Sequence, residues 1–198
     1  MTKLFRKSAL LLGAVMAVCA FGVPSVTSAS SWGVVGTTHV LDASSLSIAG
    51  SNFGTAPLIF CATSQYHVDV ANAAALRVTG ASFRGCTSLG VSGHCAVTAT
   101  PTGFPWTITG VATNDIQIQG FRLDARFTTL IPTGSPICFF ESQGATVTGT
   151  VNGGTWDAAN HQMIFSGDAG LLTHTASAAT PVTTISTIRD TTQTLTLT

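Results

Sequence analysis

Charge is scarce in this 198-residue chain: charged residues make up 8% of it, with two lysines, one glutamate and a single tyrosine. Both lysines, Lys3 and Lys7, sit with Arg6 at the start. Beyond position 29 no lysine remains, and five arginines face seven aspartates and one glutamate, a balance of −3. Binding nucleic acid requires a basic patch or stripe to neutralise phosphates, so that class of partner is excluded. Local catalytic signatures are missing too: there is no GxSxG elbow, no HExxH and no glycine-rich phosphate loop. No long segment shows a 3.6-residue apolar period, which excludes a helical architecture. No apolar run reaches the roughly 18 to 20 residues that a membrane-spanning helix needs.

The chain does carry an export pattern. Lys3, Arg6 and Lys7 form a basic start, Ala9 to Ala20 an apolar core, and Thr27-Ser28-Ala29 a small-residue cleavage site. Residues 1–29 are therefore expected to be a signal peptide and residues 30–198 a single exported domain, secreted or held at the cell surface. Val18 stands before Cys19 where a lipid-attachment site needs a small residue, so no lipid anchor is expected.

Four cysteines follow the leader: Cys61, Cys86, Cys95 and Cys138. An even number in an exported chain predicts two disulfides. Three pairings are open, and Cys86 with Cys95 is favoured because it closes a short Gly-containing loop, leaving Cys61 with Cys138. A metal reading is weak, because no CxxC spacing is present and His94 adjoins Cys95 and so points the opposite way on a strand. No metal and no cofactor are expected.

Apolar residues recur at every second position almost throughout, as in Ala145-Thr-Val147-Thr-Gly149-Thr-Val151 and Leu195-Thr-Leu197, which predicts strands with one buried and one wet face. In Ile116–Phe127 the apolar parity switches at Gly120, the mark of a bulge. Val70–Leu76, after Asp69, reads as a loop or one helical turn. Thr173–Pro181 resembles a linker, but the apolar alternation resumes after it, over Val182–Ile188 and on to Thr194–Thr198 at the end of the chain, and a closing strand there is the simplest account. Many short strands at this turn spacing predict an all-β fold, a single β-sandwich of Ig-like or Greek-key type or a partly open barrel.

Candidate sites are few. His67-Val-Asp69 places an imidazole and a carboxylate on one strand face, but no third group completes a catalytic or metal set. Glu141, beside Phe139-Phe140, lacks the partner that a general acid needs. Arg122, Asp124 and Arg126 alternate along one face and read as a solvated edge before they read as an anion or glycan contact. Trp156, Trp106 and Trp32 are the binding candidates, since indole rings can form a platform for sugars or apolar ligands. Trp106 reads first as a core anchor, whereas Trp156, beside Asp157 at a hairpin tip, is expected to be exposed.

Cys61 at the end of an early strand, Val78-Thr-Gly-Ala-Ser-Phe83 leading to Cys86, and Gly103-Phe104-Pro105-Trp106 together resemble secreted bacterial proteins of the PraB type, labelled protein activator of alkane oxidation, and related secreted proteins of actinobacteria. The resemblance covers roughly residues 58 to 110, and Phe104 replaces the usual Leu. It implies an extracellular, non-enzymatic β-protein of the cell surface, the biofilm matrix or the uptake of apolar substrates, and it transfers no catalytic residue. The expected function is adhesion or assembly with self or with surface and matrix components. The alternative is a soluble module that binds glycans or apolar ligands.

Overall fold

The computed structural model describes residues 31–50, 58–89, 95–112, 114–129, 138, 144–174 and 177–198. The expected leader, His94 and Glu141 lie outside the described residues. Nine strands succeed one another: β1 (Thr38–Gly50), β2 (Leu58–Asn72), β3 (Ala75–Leu89), β4 (Cys95–Pro101), β5 (Trp106–Ala112), β6 (Asp115–Thr129), β7 (Gly144–Asp157), β8 (Gln162–His174) and β9 (Ser177–Asp190). All pairings are antiparallel. The ring runs β1-β2-β3-β4-β6-β7-β8-β9 and returns to β1, a closed eight-stranded barrel with β5 as an extra strand.

This corrects the expectation of a sandwich and equally that of a partly open barrel. Alternation shows that one face of each strand is buried, and two facing sheets or one sheet curled on itself satisfy that condition equally. The strands are also longer than expected, seven of them spanning 13 to 15 residues. Strands of that length accumulate enough twist to bring the two edges of one sheet together. The stretch Val70–Leu76 belongs to the β2–β3 hairpin, turning at Ala73–Ala74, and β8 and β9 take up the described part of the linker-like Thr173–Pro181.

Bulges provide the curvature. In β6 the buried positions change from Ile116 and Ile118 to Phe121, Leu123, Ala125 and Phe127. Gly120, at φ 72°, takes up the extra residue, as the parity switch predicts. The same change of parity occurs between Ala43 and Leu46 in β1 and between Cys61 and Ser64 in β2. It recurs around Gly85 (φ 61°) in β3. Each bulge bends its strand while keeping the apolar side inward.

The interior is filled by side chains, among them Phe127, Phe165, Leu41, Ile59, Leu76 and Leu123, all fully buried. An eight-stranded ring is just wide enough for such a core. The cavity between Leu46, Tyr66, Phe121, Val151 and Phe165 measures about 10 Å³, at the lower limit for one water molecule. Tyr66 lies in this core, where burial raises its pKa to about 12 against a weak opposing contact with Ser64. The outer wall carries mainly Thr, Ser, Gln, Asp and Arg, with Ile164, Leu171 and Ile185 as its exposed large apolar side chains. A membrane-spanning barrel shows the reverse, an apolar band outside and a polar interior. No described helix is long and apolar enough to cross a membrane.

Between β3 and β6 the wall is shared by two short strands. β4 pairs with one end of each, and β5 with the other. Thr102–Pro105 separate them, with a cis Phe104–Pro105 bond. Trp106 fills this seam: its indole N–H donates to the Thr102 carbonyl at 2.9 Å, and its ring packs on Phe104 and Phe121 at 4.7 and 4.9 Å.

The disulfides are Cys61–Cys86 and Cys95–Cys138, so the expected pairing of Cys86 with Cys95 is incorrect. Register decides the matter. Cys61 lies directly opposite Cys86 in the β2–β3 ladder, whereas Cys95 lies opposite Ser88, two residues beyond Cys86. Such diagonal neighbours stand about 7 to 8 Å apart, too far for a disulfide. Peptide mapping without reduction should recover the 61–86 and 95–138 links with no free thiol beyond residue 29, and Cys61→Ser/Cys86→Ser should cost about 2 to 5 kcal/mol. Recovery of an 86–95 link would contradict this register.

One end of the barrel is closed by a plug. Trp32 pairs with Leu197. The Ser31 and Thr198 N–H groups each donate to the other's carbonyl, at 2.7 and 3.1 Å. Trp32, Leu195 and Leu197 are all buried, and Leu197 packs so closely on Gly110 that a Cβ there would lie 3.3 Å from it. The segment after β9 is thus a lid on the core and not a barrel strand. Leu195→Ala should lower the unfolding free energy by about 2 to 5 kcal/mol, measured by urea titration. An unchanged midpoint would show that the plug does not contribute to stability.

Candidate functional site

Among the described residues the interior is filled, and accessible polar groups lie on the outer wall. The ladder register sets one polar row across six strands. Ser82 of β3 lies opposite Gln65 of β2, Gln65 opposite Asp42 of β1, and Asp42 opposite Arg189 of β9. Arg189 lies opposite Gln162 of β8, and Gln162 opposite Asp157 of β7. At about 4.8 Å per strand the row spans about 24 Å of wall.

The row lies along a groove in two contiguous parts that share Asp42, Thr63 and Ser64. The smaller, about 210 Å³, adds Gln65, Ser82 and Arg84. The larger, about 460 Å³, adds Ser44, Gln162, Thr187, Arg189 and Thr191. Ser44, Thr63 and Arg84 occupy the places where β1, β2 and β3 change parity, so the bulges that curve the wall also form its concavity.

Hydrogen bonds fix several of these side chains. Gln65 Nε2 donates to Asp42 Oδ1 at 2.9 Å, and Gln162 Nε2 to Asp157 Oδ2 at 3.0 Å. Asp157 is held below the usual carboxylate range, first by the Asn160 side chain at 2.7 Å, which outweighs the opposing effect of burial, and then by Gln162 and the backbone of its turn. Arg84 and Arg189 have no carboxylate partner among the described residues, whereas Arg77 pairs with Asp69 at 3.2 Å and Arg122 lies 3.7 Å from Asp124. The groove thus presents hydroxyls, amides, two open guanidiniums and one engaged carboxylate, a set suited to polar multidentate contact.

The residues singled out in the sequence lie elsewhere. Trp32 and Trp106 are fully buried and offer no ring face to a ligand. Trp156, expected to be exposed, is half-buried, its ring edge-on to Trp32 at 5.7 Å and to His161 at 6.4 Å. The structure therefore joins two of the three tryptophans, but as packing over the plug. His67 is exposed beside a depression of about 220 Å³ that Asp69 also lines, but the Asp69 carboxylate is engaged by Arg77. Asp124 accepts Thr146 at 2.7 Å and Thr102 at 2.9 Å. These bonds, Thr146 foremost, hold its pKa low against burial and tie β6 to β7 and to the seam. Among the described residues, no group of three or more His, Cys, Asp and Glu comes together to hold a metal.

Asp190 is a buried carboxylate that sequence reading missed, although Asp190-Thr-Thr-Gln-Thr194 has turn-forming composition. It accepts the Thr192, Thr194 and Leu195 N–H groups at 3.0, 2.8 and 2.6 Å and the Thr192 hydroxyl at 2.6 Å. His39 lies beside it, Nδ1 3.7 Å from Asp190 Oδ2 and 3.2 Å from Thr194 Oγ1, with Nε2 3.0 Å from Thr37 Oγ1. The arrangement resembles a hydroxyl-His-Asp relay, but the Thr37 hydroxyl donates to the Val34 carbonyl at 2.7 Å. The cluster orients the plug.

No protein family, curated protein or solved structure matches the chain. The PraB-type resemblance rests on its quoted residues alone, and in this fold they form the Cys61–Cys86 bridge and the Trp106 seam.

Burial acts to raise the Asp190 pKa, but the Thr192 hydroxyl and the backbone donors outweigh it, and the net shift is downward. A depressed native pKa adds stability above the unfolded value of about 3.9, which is lost as pH falls through the native one. Urea midpoints should therefore decline below about pH 4, and Asp190→Asn should flatten that decline, with Asp124 and Asp157 leaving a residual slope. At neutral pH, Asp190→Ala should cost about 3 kcal/mol through its stranded donors. An acid limb identical in Asp190→Asn would refute the assignment.

Proposed function

We propose that this chain is an exported, non-catalytic protein of the cell surface or extracellular matrix that acts by adhesion, with the outer groove around Asp42 as its contact surface for glycans. The observation that carries this reading is the polar row from Ser82 to Asp157 along a groove of about 460 Å³ in its larger part, on a barrel whose interior cavity is about 10 Å³. Among the described residues the core is filled and offers no lumen for a hydrocarbon, which favours the wall as the surface that meets a partner. Sugars present dense hydroxyls, which hydroxyl, amide and guanidinium groups match. Glycoside hydrolysis uses two carboxyl groups about 5 to 9.5 Å apart. Asp42 is the groove's one lining carboxylate among the described residues and is tethered by Gln65, which supports contact without turnover.

Two disulfides fit a chain that folds in an oxidising compartment. Assembly through the chain end is the weaker route, because β9 is paired on both sides and the segment after it is tied to residues 31–33. Fractionation of the host should place the protein on the envelope or in the sedimenting matrix. Gln65→Ala/Gln162→Ala should keep the wild-type Tm while lowering co-sedimentation with envelope polysaccharide about tenfold or more. Undiminished co-sedimentation of that variant would refute the groove as the adhesive surface.

A further inference from the structure

The charge of the groove narrows the class of glycan. Among the described residues, Arg77 and Arg122 each have a carboxylate within ion-pair distance, whereas Arg84, Arg126 and Arg189 do not, although Arg189 faces Asp42 across the ladder. Two of those three line the same groove. The register separates them by three strands, from β3 through β2 and β1 to β9, and by two residues along the wall. That amounts to about 14 Å across and about 7 Å along. Asp42, the carboxylate between them, already accepts from Gln65. A chain whose exported part carries −3 overall therefore has a groove lined by two arginines against the single carboxylate Asp42, a net +1, with Asp157 just beyond the lining at the end of the row.

A guanidinium has five donors, no acceptor and a planar fork that matches carboxylate or sulfate oxygens. We infer that the groove binds an acidic polysaccharide, its carboxylate or sulfate groups taken by Arg84 and Arg189 and its hydroxyls by Gln65, Gln162 and the Ser and Thr side chains between them. This rests on the glycan-contact reading proposed above and adds the charge of the ligand.

The test compares two matched pairs of polymers with the full chain, by affinity electrophoresis or calorimetry. Polygalacturonate is set against its methyl ester, and dextran sulfate against dextran, so that each pair differs in charge. The expected result is binding to at least one acidic member in preference to its neutral counterpart, weakening as salt screens the contact. The pair that responds distinguishes carboxylate from sulfate. Arg84→Gln and Arg189→Gln should each weaken binding about tenfold. Arg126→Gln should weaken it less than either, because Arg126, two strands from Arg84 through β4, does not line the groove. Equal binding of acidic and neutral members, lost in Gln65→Ala/Gln162→Ala but indifferent to Arg84 and Arg189, would overturn the acidic ligand and leave the groove standing. Acidic binding that falls with Arg126→Gln and not with Arg84→Gln or Arg189→Gln would overturn it as general charge attraction. No binding to any of the four polymers would overturn it too, and co-sedimentation of the glutamine variant with envelope polysaccharide would then show separately whether the groove reading survives.

Discussion

Each long strand of this chain carries one apolar face, and the ladder between β1 and β9 is what lets all those faces turn inward together. It joins residues as distant in sequence as Leu41 and Asp190, and two side chains reinforce it, with Thr184 and Ser186 donating to the Ser47 and Ser45 carbonyls. Without that pairing the sheet would have two free edges, each offering unpaired backbone groups to other chains. Closure of the ring also requires β4 and β5 to divide the gap between β3 and β6. The Trp106 seam and the Asp124 bonds to Thr102 and Thr146 hold that division in place.

A filled ring dictates where function can reside. Eight strands leave room for Phe127, Phe165 and their neighbours and for little else, and the plug of Trp32, Leu195 and Leu197 caps one end. The contact surface proposed for this chain is accordingly the outer wall. The bulges that let β1, β2 and β3 curve also displace Ser44, Thr63 and Arg84 outward, so the groove is a by-product of the curvature that closes the barrel. The carboxylates are divided accordingly: Asp190 holds the plug, Asp124 the seam, and Asp42 stands in the groove.

Some of this is legible in the residues. Period-2 alternation identifies the strands, the parity switch at Gly120 identifies a bulge, and four cysteines after an export pattern identify two disulfides. The candidate site is not legible. Asp42, Gln65, Ser82, Gln162 and Arg189 are separated polar residues on different strands, each indistinguishable from a solvated outward position. The tryptophans attracted notice because large aromatic rings are conspicuous, yet their apolar area draws Trp32 and Trp106 into the core.

By itself the sequence determined the all-β class, the alternation of buried and wet positions, the scarcity of basic charge and the presence of paired cysteines, because these follow from local composition and spacing. Only the tertiary structure decided between sandwich and barrel, between a Cys61–Cys86 and a Cys86–Cys95 bridge, and which polar residues share one groove. All three depend on register between strands distant in the chain, and a one-residue slip in register exchanges every face and every cross-strand partner.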